Sequence, residues 1–408
     1  MRRLLFLSHC LPWPPDKGER IRAWHILHHL ARDFDVYLAC LVPEKAALAH
    51  VPRLRDMCAE VAAFPIDRRA QKLRALMRAR PGRPLMPDFY FSPALKTWVD
   101  RALARHRFDT LYIYTVAMAP YVAPGAGPRP ILDAVDIDSE KWAAYTAKSP
   151  FPMRAVWARE ARTLLAYERQ AAARSAQTLF VSQAEAARFL ALAPELAGRV
   201  DYVENGVDLD RFSPALTFAS PFGESGPCLV FTGHMDYRPN EDAVAWFAHD
   251  VLPLVRHAVP QAAFWIVGAN PGPAVRRLVH LPGVVVTGRV DDTRPYLAHA
   301  AACVCPLRMA RGIQNKVLEA AAMGRPVIVS PAAFQGVSAL PGRDLLVAET
   351  AADFAAACRD VLAGKYQGLG DAARAAMIAT YAWDATLLRL DRIMQAADGA
   401  GPPAGADQ

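Results

Sequence analysis

The 408-residue sequence has no apolar run of about eighteen residues, so no segment is expected to cross a membrane as a helix. Cysteine is scarce: seven are scattered with no C-x-x-C pair, which argues against a disulfide framework and for a reducing compartment. Cys303 and Cys305 alternate along an apolar run and read as core rather than as metal ligands. No Walker loop occurs, no Gly-x-Gly-x-x-Gly turn follows a strand in either half, and no short-period repeat is visible. The opening Met1-Arg2-Arg3-Leu4-Leu5-Phe6-Leu7 is too short for a secretory leader, and Asp16-Lys17-Gly18-Glu19-Arg20 soon follows. It reads as a first buried strand of a cytoplasmic protein.

What is present points to a large globular chain. Hydrophobic residues make up 53%, charged residues 21% and aromatic residues 9%, enough for sizeable cores in two or three domains. The net charge of +7 suits nucleic acid, anionic lipid or phosphorylated ligands and does not choose among them.

Short apolar runs alternate with helical patterns twice. In the first half the strands are expected at 4–8, 36–42, 61–66, 110–114, 130–134 and 178–182, with helices at 19–32, 45–58, 94–105 and 153–174. Val203-Glu204-Asn205-Gly206-Val207-Asp208 carries a turn signal, and a loosely patterned stretch follows as far as Gly226. A second set of strands is expected at 228–232, 263–267, 284–287, 303–307, 327–330 and 345–347. Its helices are expected at 240–257, 274–280, 292–299, 313–323 and 351–362. A final helix lies near 383–397, and the Gly-, Pro- and Ala-rich tail 399–408 is expected to be disordered. The pattern is α/β, with two doubly wound parallel-sheet domains in tandem, which implies a cleft and ligands at the C-terminal ends of strands.

The segment Arg311-Gly312-Ile313-Gln314-Asn315-Lys316-Val317-Leu318-Glu319-Ala320 occupies such a position, after one apolar strand and before another. The free N–H groups of a helix N-terminus and its dipole suit a diphosphate, and Lys316 adds a point charge. Glu319 shares a helix face with Lys316 and can accept hydrogen bonds from a ribose diol. This reads as a nucleotide site.

Taken together, these residues resemble a GT-B glycosyltransferase, close to glycosyltransferase family 4 (glycosyl transferase group 1). The resemblance rests on Val203 to Phe212, on Phe231-Thr232-Gly233, and on Lys316-x-x-Glu319 followed by Gly324-Arg325-Pro326-Val327. A narrower likeness, to the sugar transferases of the PEP-CTERM/exosortase system, rests on three stretches. These are Thr232 to Asn240, Gly312 to Glu319, and Asp136-Ile137-Asp138-Ser139-Glu140-Lys141-Trp142. The resemblance implies Rossmann-like domains at 1–205 (acceptor) and 206–380 (nucleotide-sugar donor) facing a central cleft. A helix at 381–398 would pack back on the first domain.

It further implies transfer of a sugar from a nucleotide-diphosphate sugar to a glycan or polyprenyl-linked acceptor, retaining and metal-independent, in bacterial exopolysaccharide assembly. The nucleotide sugar is a co-substrate, and no cofactor or metal is implied. Donor binding falls to Gly233, Arg238, Arg311, Gly312, Ile313, Gln314, Asn315, Lys316 and Glu319. Where many relatives carry a first, sugar-contacting Glu, this chain has Arg311, so sugar contacts do not carry over. Arg238 is the nearest base after Gly233. Catalytic roles fall to Lys316 and to Asp136. Lys17, Gly18, Arg20 and Asp138 are expected on the acceptor side. Asp133, Asp136 and Asp138 together also invite a metal reading, which the metal-independent resemblance disfavours.

Arg68, Arg69, Lys72, Arg74, Arg78, Arg80 and Arg83 form a basic segment with no acid among them, and Leu73, Leu76 and Met77 form an apolar stripe. This suits a solvated basic helix or an anionic membrane surface on the inner face of the cytoplasmic membrane. No nucleic-acid module accompanies the charge. Two rival readings remain at this stage. One is a non-catalytic sugar-binding or scaffold protein of the same fold; the other is a nucleotide-sugar epimerase or dehydrogenase.

Overall fold

A computed structural model describes residues 2–310 and 312–399; Met1, Arg311 and the tail 400–408 lie outside the described residues. The chain divides into two compact units. The first comprises residues 1–204 together with the chain from Leu387 on, and the second Asn205–Thr386.

The first unit is built on seven strands: β1 (Arg2–Ser8), β2 (Phe34–Val42), β3 (Glu60–Pro65), β4 (Thr110–Tyr114), β5 (Ile131–Val135), β6 (Gln177–Phe180) and β7 (Val200–Tyr202). All neighbours are parallel, in the order β3-β2-β1-β4-β5-β6-β7. Helices cover both faces of a parallel sheet, which explains why β4 is buried at every position and β1 at all but its first two. Leu5, Leu7, Leu111 and Ile113 pack with Leu95 and Val99 of the helix Pro93–Arg105.

One interior pair is ionic. Arg22, on the helix Gly18–Leu30, is 1% exposed and Asp133, in β5, is 0% exposed. Their bidentate contact runs Nε to Oδ2 at 2.9 Å and Nη2 to Oδ1 at 3.0 Å. The Tyr112 hydroxyl donates to the same carboxylate at 2.9 Å, and Arg22 Nη1 donates to the Val203 carbonyl at 2.7 Å. The pair is thus satisfied on both sides, the condition under which a buried ion pair is tolerated.

The second unit contains β8 (Cys228–Thr232), β9 (Ala263–Val267), β10 (Val284–Gly288), β11 (Ala302–Cys305), β12 (Val327–Val329) and β13 (Leu346–Val347). Their order is β10-β9-β8-β11-β12-β13, again all parallel. The order reverses at β8, so the crevice beyond its C-terminal end is the topological switch point. Backbones crowd there: a Cβ on Gly268, after β9, would lie 1.7 Å from the Gly233 carbonyl oxygen, after β8.

The expected elements are present, whereas β7 and the helices Asp138–Lys148, Gln183–Leu192 and Leu369–Thr380 were not anticipated, and the other differences have local causes. The expected helix 240–257 is a helix (Arg238–Trp246), a π turn (Phe247–Val251) and a second helix (Leu252–Ala258). Pro253 removes an N–H from the ladder, and the wider turn accommodates the loss. The helix expected at 313–323 starts later, at Asn315, because Gly312 has φ 65° and Gln314 is extended. The helix expected at 45–58 splits into a 3-10 turn (Lys45–His50) and a short helix (Val51–Arg55). The last helix runs Trp383–Gly399, so it takes in the first residue of the expected tail. Its buried Leu387, Leu390, Ile393 and Met394, with Asp391 bonded to His29 at 2.7 Å, belong to the first unit. Among the described residues, no helix is long and apolar enough to cross a membrane.

Candidate active site

At the switch point of the second unit, β8 ends in Thr232 and the chain turns at Gly233. A Cβ there would lie 2.7 Å from Asn240 Nδ2 and 3.0 Å from Lys316 Nζ, so only a glycine lets the two side chains meet against the backbone. Lys316 sits in the first turn of the helix Asn315–Ala322, whose Val317, Leu318, Ala320, Ala321 and Ala322 are buried against the sheet. That packing fixes the helix and points Lys316 at the β8 loop. Its ammonium donates to Asn240 Oδ1 at 2.6 Å and lies 4.2 Å from the centre of the Phe231 ring. Asn240 Nδ2 in turn donates to the His234 carbonyl at 2.8 Å, which orients the amide. The ammonium is therefore held by one neutral amide and one ring face. Burial lowers the Lys316 pKa, and the nearby Glu319 charge opposes that shift.

Glu319 stands one turn further on, half-buried. Burial raises its carboxyl to about 7, against the opposing charges of Lys316 and Arg211. Its carboxyl is therefore poised between forms near neutrality. Ile313 is buried. Gln314 turns back on Gly312, donating to its carbonyl at 3.1 Å, and Asn315 accepts a long 3.4 Å bond from Asn205. The helix starts at Asn315, so the N–H groups of Asn315 and Lys316, rather than those of Gly312, lack partners within the helix, while Val317 already donates to the Gln314 carbonyl at 2.9 Å. Arg238 opens the helix Arg238–Trp246, exposed and without an ion pair among the described residues. Arg311 lies outside the described residues. The sequence reading missed Asn240, a 4%-exposed polar residue at a helix start seven positions after the strand-end glycine. That combination was its available signal.

The acceptor-side residues anticipated in the first unit are engaged locally. Lys17 pairs with Glu44 at 3.1 Å, and Arg20 pairs with Asp16 at 3.0 Å and Glu44 at 3.5 Å. Gly18 begins the helix that carries Arg20 and Arg22. Asp133 is turned into the core toward Arg22 and separates from the other two carboxylates. Asp136 and Asp138 share Lys141, at 2.9 and 3.0 Å. Burial opposes the Lys141 charge, but the two carboxylates overcome it and hold its pKa well above the usual value. A second polar group, also missed, lies at the C-terminal end of β1. His9 Nε2 meets Glu19 Oε2 at 3.3 Å, and Nδ1 meets Thr115 Oγ1 at 3.3 Å. The bond to His9 is the main reason the Glu19 carboxyl is held down at about 2. Thr115 has φ 70°, a strained backbone at a strand end.

A family model described as "Glycosyl transferases group 1" matches residues 226–364, the span that contains Gly233, Asn240, Lys316 and Glu319. The chain is a glycosyltransferase. The two parallel sheets have the GT-B fold. The glycosyltransferase is similar to sucrose-phosphate synthase from Thermosynechococcus elongatus at 16% identity and a TM-score of 0.71, covering 98% of this chain and 100% of that one. HepE from Anabaena, solved with UDP and glucose, matches at 14% identity and TM-score 0.67, covering 97% and 100%. WaaG, a glycosyltransferase involved in lipopolysaccharide biosynthesis, matches at 14% and 0.64, covering 96% and 99%. Among curated proteins no match is found.

Proposed function

We propose that this enzyme is a retaining, metal-independent transferase of glycosyltransferase family 4 that takes its sugar from a nucleotide diphosphate. The observation that carries this reading is the Lys316 ammonium, held by Asn240 beneath the Gly233 turn, with Glu319 one helical turn away. A diphosphate at the switch point meets the Lys316 ammonium and the Asn315 and Lys316 N–H groups, while Glu319 accepts from the ribose diol. The Anabaena relative of the same fold was solved with UDP-glucose, which supports a nucleotide sugar as donor.

Transfer breaks the bond between the anomeric carbon and the diphosphate oxygen and forms one to the acceptor oxygen. The acceptor proton passes to the departing phosphate oxygen on the same face, so configuration is kept without an enzymic nucleophile. Negative charge grows on the diphosphate as it leaves, and preorganised donors lower that barrier. Asp136, steadied by Lys141, orients the acceptor hydroxyl. In this reading residues 206–380 serve the donor and 1–205 the acceptor, with Asp138, Lys17, Gly18 and Arg20 on the acceptor side. Arg238 meets the diphosphate from the β8 side, and Arg311 stands where a sugar-contacting Glu is usual.

The acceptor is a glycan or lipid-linked glycan in bacterial exopolysaccharide assembly, within the group associated with the PEP-CTERM/exosortase system. The motif stretches at 136–142, 232–240 and 312–319 support that placement. The enzyme works on the cytoplasmic side, with residues 68–83 at an anionic membrane surface. A thermal-shift screen against UDP-, GDP-, ADP- and TDP-sugars, with and without divalent metal, tests the core of this reading. One nucleotide series should stabilise the protein without metal, by about 2.7 kcal/mol at a hundredfold excess over Kd. No response to any series, or a response that requires metal, would sink it.

A further inference from the structure

The helix Arg68–Met77 is turned the wrong way round for a core element. It buries Gln71 and Ala75 and keeps Arg74 half-buried, with Gln71 Nε2 and Arg74 Nη1 both donating to the Phe91 carbonyl at 3.2 Å. Its large apolar side chains, spaced i, i+3 and i+4, face out: Leu73 is 59% exposed, Leu76 55% and Met77 73%. An amphipathic helix normally hides such a stripe. Arg69 lies one turn before Leu73, and Arg68, Arg69, Lys72 and Arg80 form no salt bridge among the described residues, whereas Arg78 and Arg83 pair with Asp88.

A second exposed apolar group lies on a hairpin that is bonded to the segment after this helix. The helices Asp138–Lys148 and Met153–Arg174 form a hairpin whose tip carries Phe151 at 85% exposure, with Met153 and Val156 also exposed. Arg159, two turns into the second helix, donates to the Arg80 and Arg83 carbonyls, and Glu160 accepts from the Leu85 and Met86 N–H groups. These bonds tie the second helix, about two turns from its tip, to the segment that continues from the basic helix. Neither residues 68–83 nor residues 142–158 contain an acid.

We infer that the basic helix and the hairpin tip form one docking face for an anionic lipid bilayer, the helix lying in the headgroup layer and Phe151 with Met153 entering the acyl boundary. Large apolar side chains next to unpaired cations and no carboxylate are what such an interface takes. Exposed apolar side chains grouped in this way mark interaction surfaces. The inference deepens the membrane part of the proposed function, but it does not depend on the donor or the chemistry.

The test uses the full chain and sedimentation with vesicles of equal parts phosphatidylglycerol and phosphatidylcholine, compared with phosphatidylcholine alone. The protein should pellet with the mixed vesicles and not with the neutral ones. Phe151→Ser with Met153→Ser, and separately Leu73→Ser with Met77→Ser, should each weaken binding on the order of tenfold. Arg69→Gln with Lys72→Gln should weaken it by a similar factor and reduce its salt dependence. All these side chains are exposed, and an unchanged melting temperature checks that each variant folds. Failure of the wild type to pellet with anionic vesicles, as a face covered by a protein partner would give, overturns the inference. Equal pelleting of both apolar variants does so too. Nucleotide-dependent thermal shifts on the same samples keep the two failures apart: lost shifts with intact pelleting count against the donor reading alone.

Discussion

Lys316 and Asn240 are 76 positions apart in sequence, yet the ammonium of one lies 2.6 Å from the amide oxygen of the other. The amide neutralises nothing, so the cation stays available to an incoming anion while its position is fixed. Lys316→Ala is expected to lower kcat by about a hundredfold to a thousandfold, the usual cost of removing one preorganised charge stabiliser. Asn240→Ala should cost about tenfold, because the charge survives but its placement does not. Steady-state kinetics with the donor found by thermal shift separate the two.

Glu319 sets a pH dependence on donor binding. Its carboxyl, raised to about 7 by burial, accepts from both hydroxyls of a ribose diol only when ionised. Affinity should therefore rise with pH through that value and be about tenfold weaker near pH 6 than near pH 8. Calorimetric titration across that range measures it. Glu319→Gln should bind more weakly and lose the slope; a slope that persists in the variant would assign it elsewhere.

Gly233→Ala tests the steric account of the turn. The added methyl meets Asn240 Nδ2 at 2.7 Å and Lys316 Nζ at 3.0 Å. Both are side-chain ends that can move aside, so the expected stability loss is about 1–3 kcal/mol and the chain still folds. The larger effect should fall on donor affinity, since the displaced groups are those that meet the diphosphate. Paired melting and binding curves distinguish this from a general unfolding.

Most of this architecture was legible in the sequence, and what was hidden shares one cause. The strands Thr110–Tyr114, Cys228–Thr232 and Ala263–Val267 are continuous apolar runs, the mark of a strand buried on both faces, and they fall where that mark stands. The helix Ala351–Leu362 begins at Thr350, where a capping box with Asp353 marks its start. By contrast, Asn240 gains meaning only through Lys316, and Arg22 only through Asp133, 111 positions away. Periodicity cannot announce such partners. The basic helix shows the same limit differently: Leu73, Leu76 and Met77 were recognisable as a stripe, but which side the stripe faces is decided by Phe91 holding Gln71 and Arg74.

Glu168 offers a check on the first unit that is independent of catalysis. It is 5% exposed and accepts from the Ser139 N–H and hydroxyl at 3.1 and 2.5 Å, capping the helix Asp138–Lys148. Burial raises its pKa to about 8, whereas the unfolded chain releases that proton near 4.3 by the usual glutamate value. The folded state holds the extra proton between those values. Stability from this group is therefore complete at low pH and declines as pH rises to about 8. Glu168→Gln keeps the cap without the titration, so its melting temperature should vary less over that window and exceed the wild type's at the upper end.

The crossing of Gly268 over Gly233 has a bearing on how substitution maps of this protein should be read. A methyl at 268 would stand 1.7 Å from a carbonyl oxygen that cannot move without tearing β8 from its neighbours. Gly370, whose Cβ would fall 2.0 Å from the Gly324 carbonyl, is in the same position. In a saturation library both sites should tolerate nothing but glycine and would score like catalytic positions, though neither has a side chain to offer a substrate. Intolerance at these two codons reports on how closely main chains cross, and ranking residues by mutational sensitivity alone would mistake scaffold for chemistry.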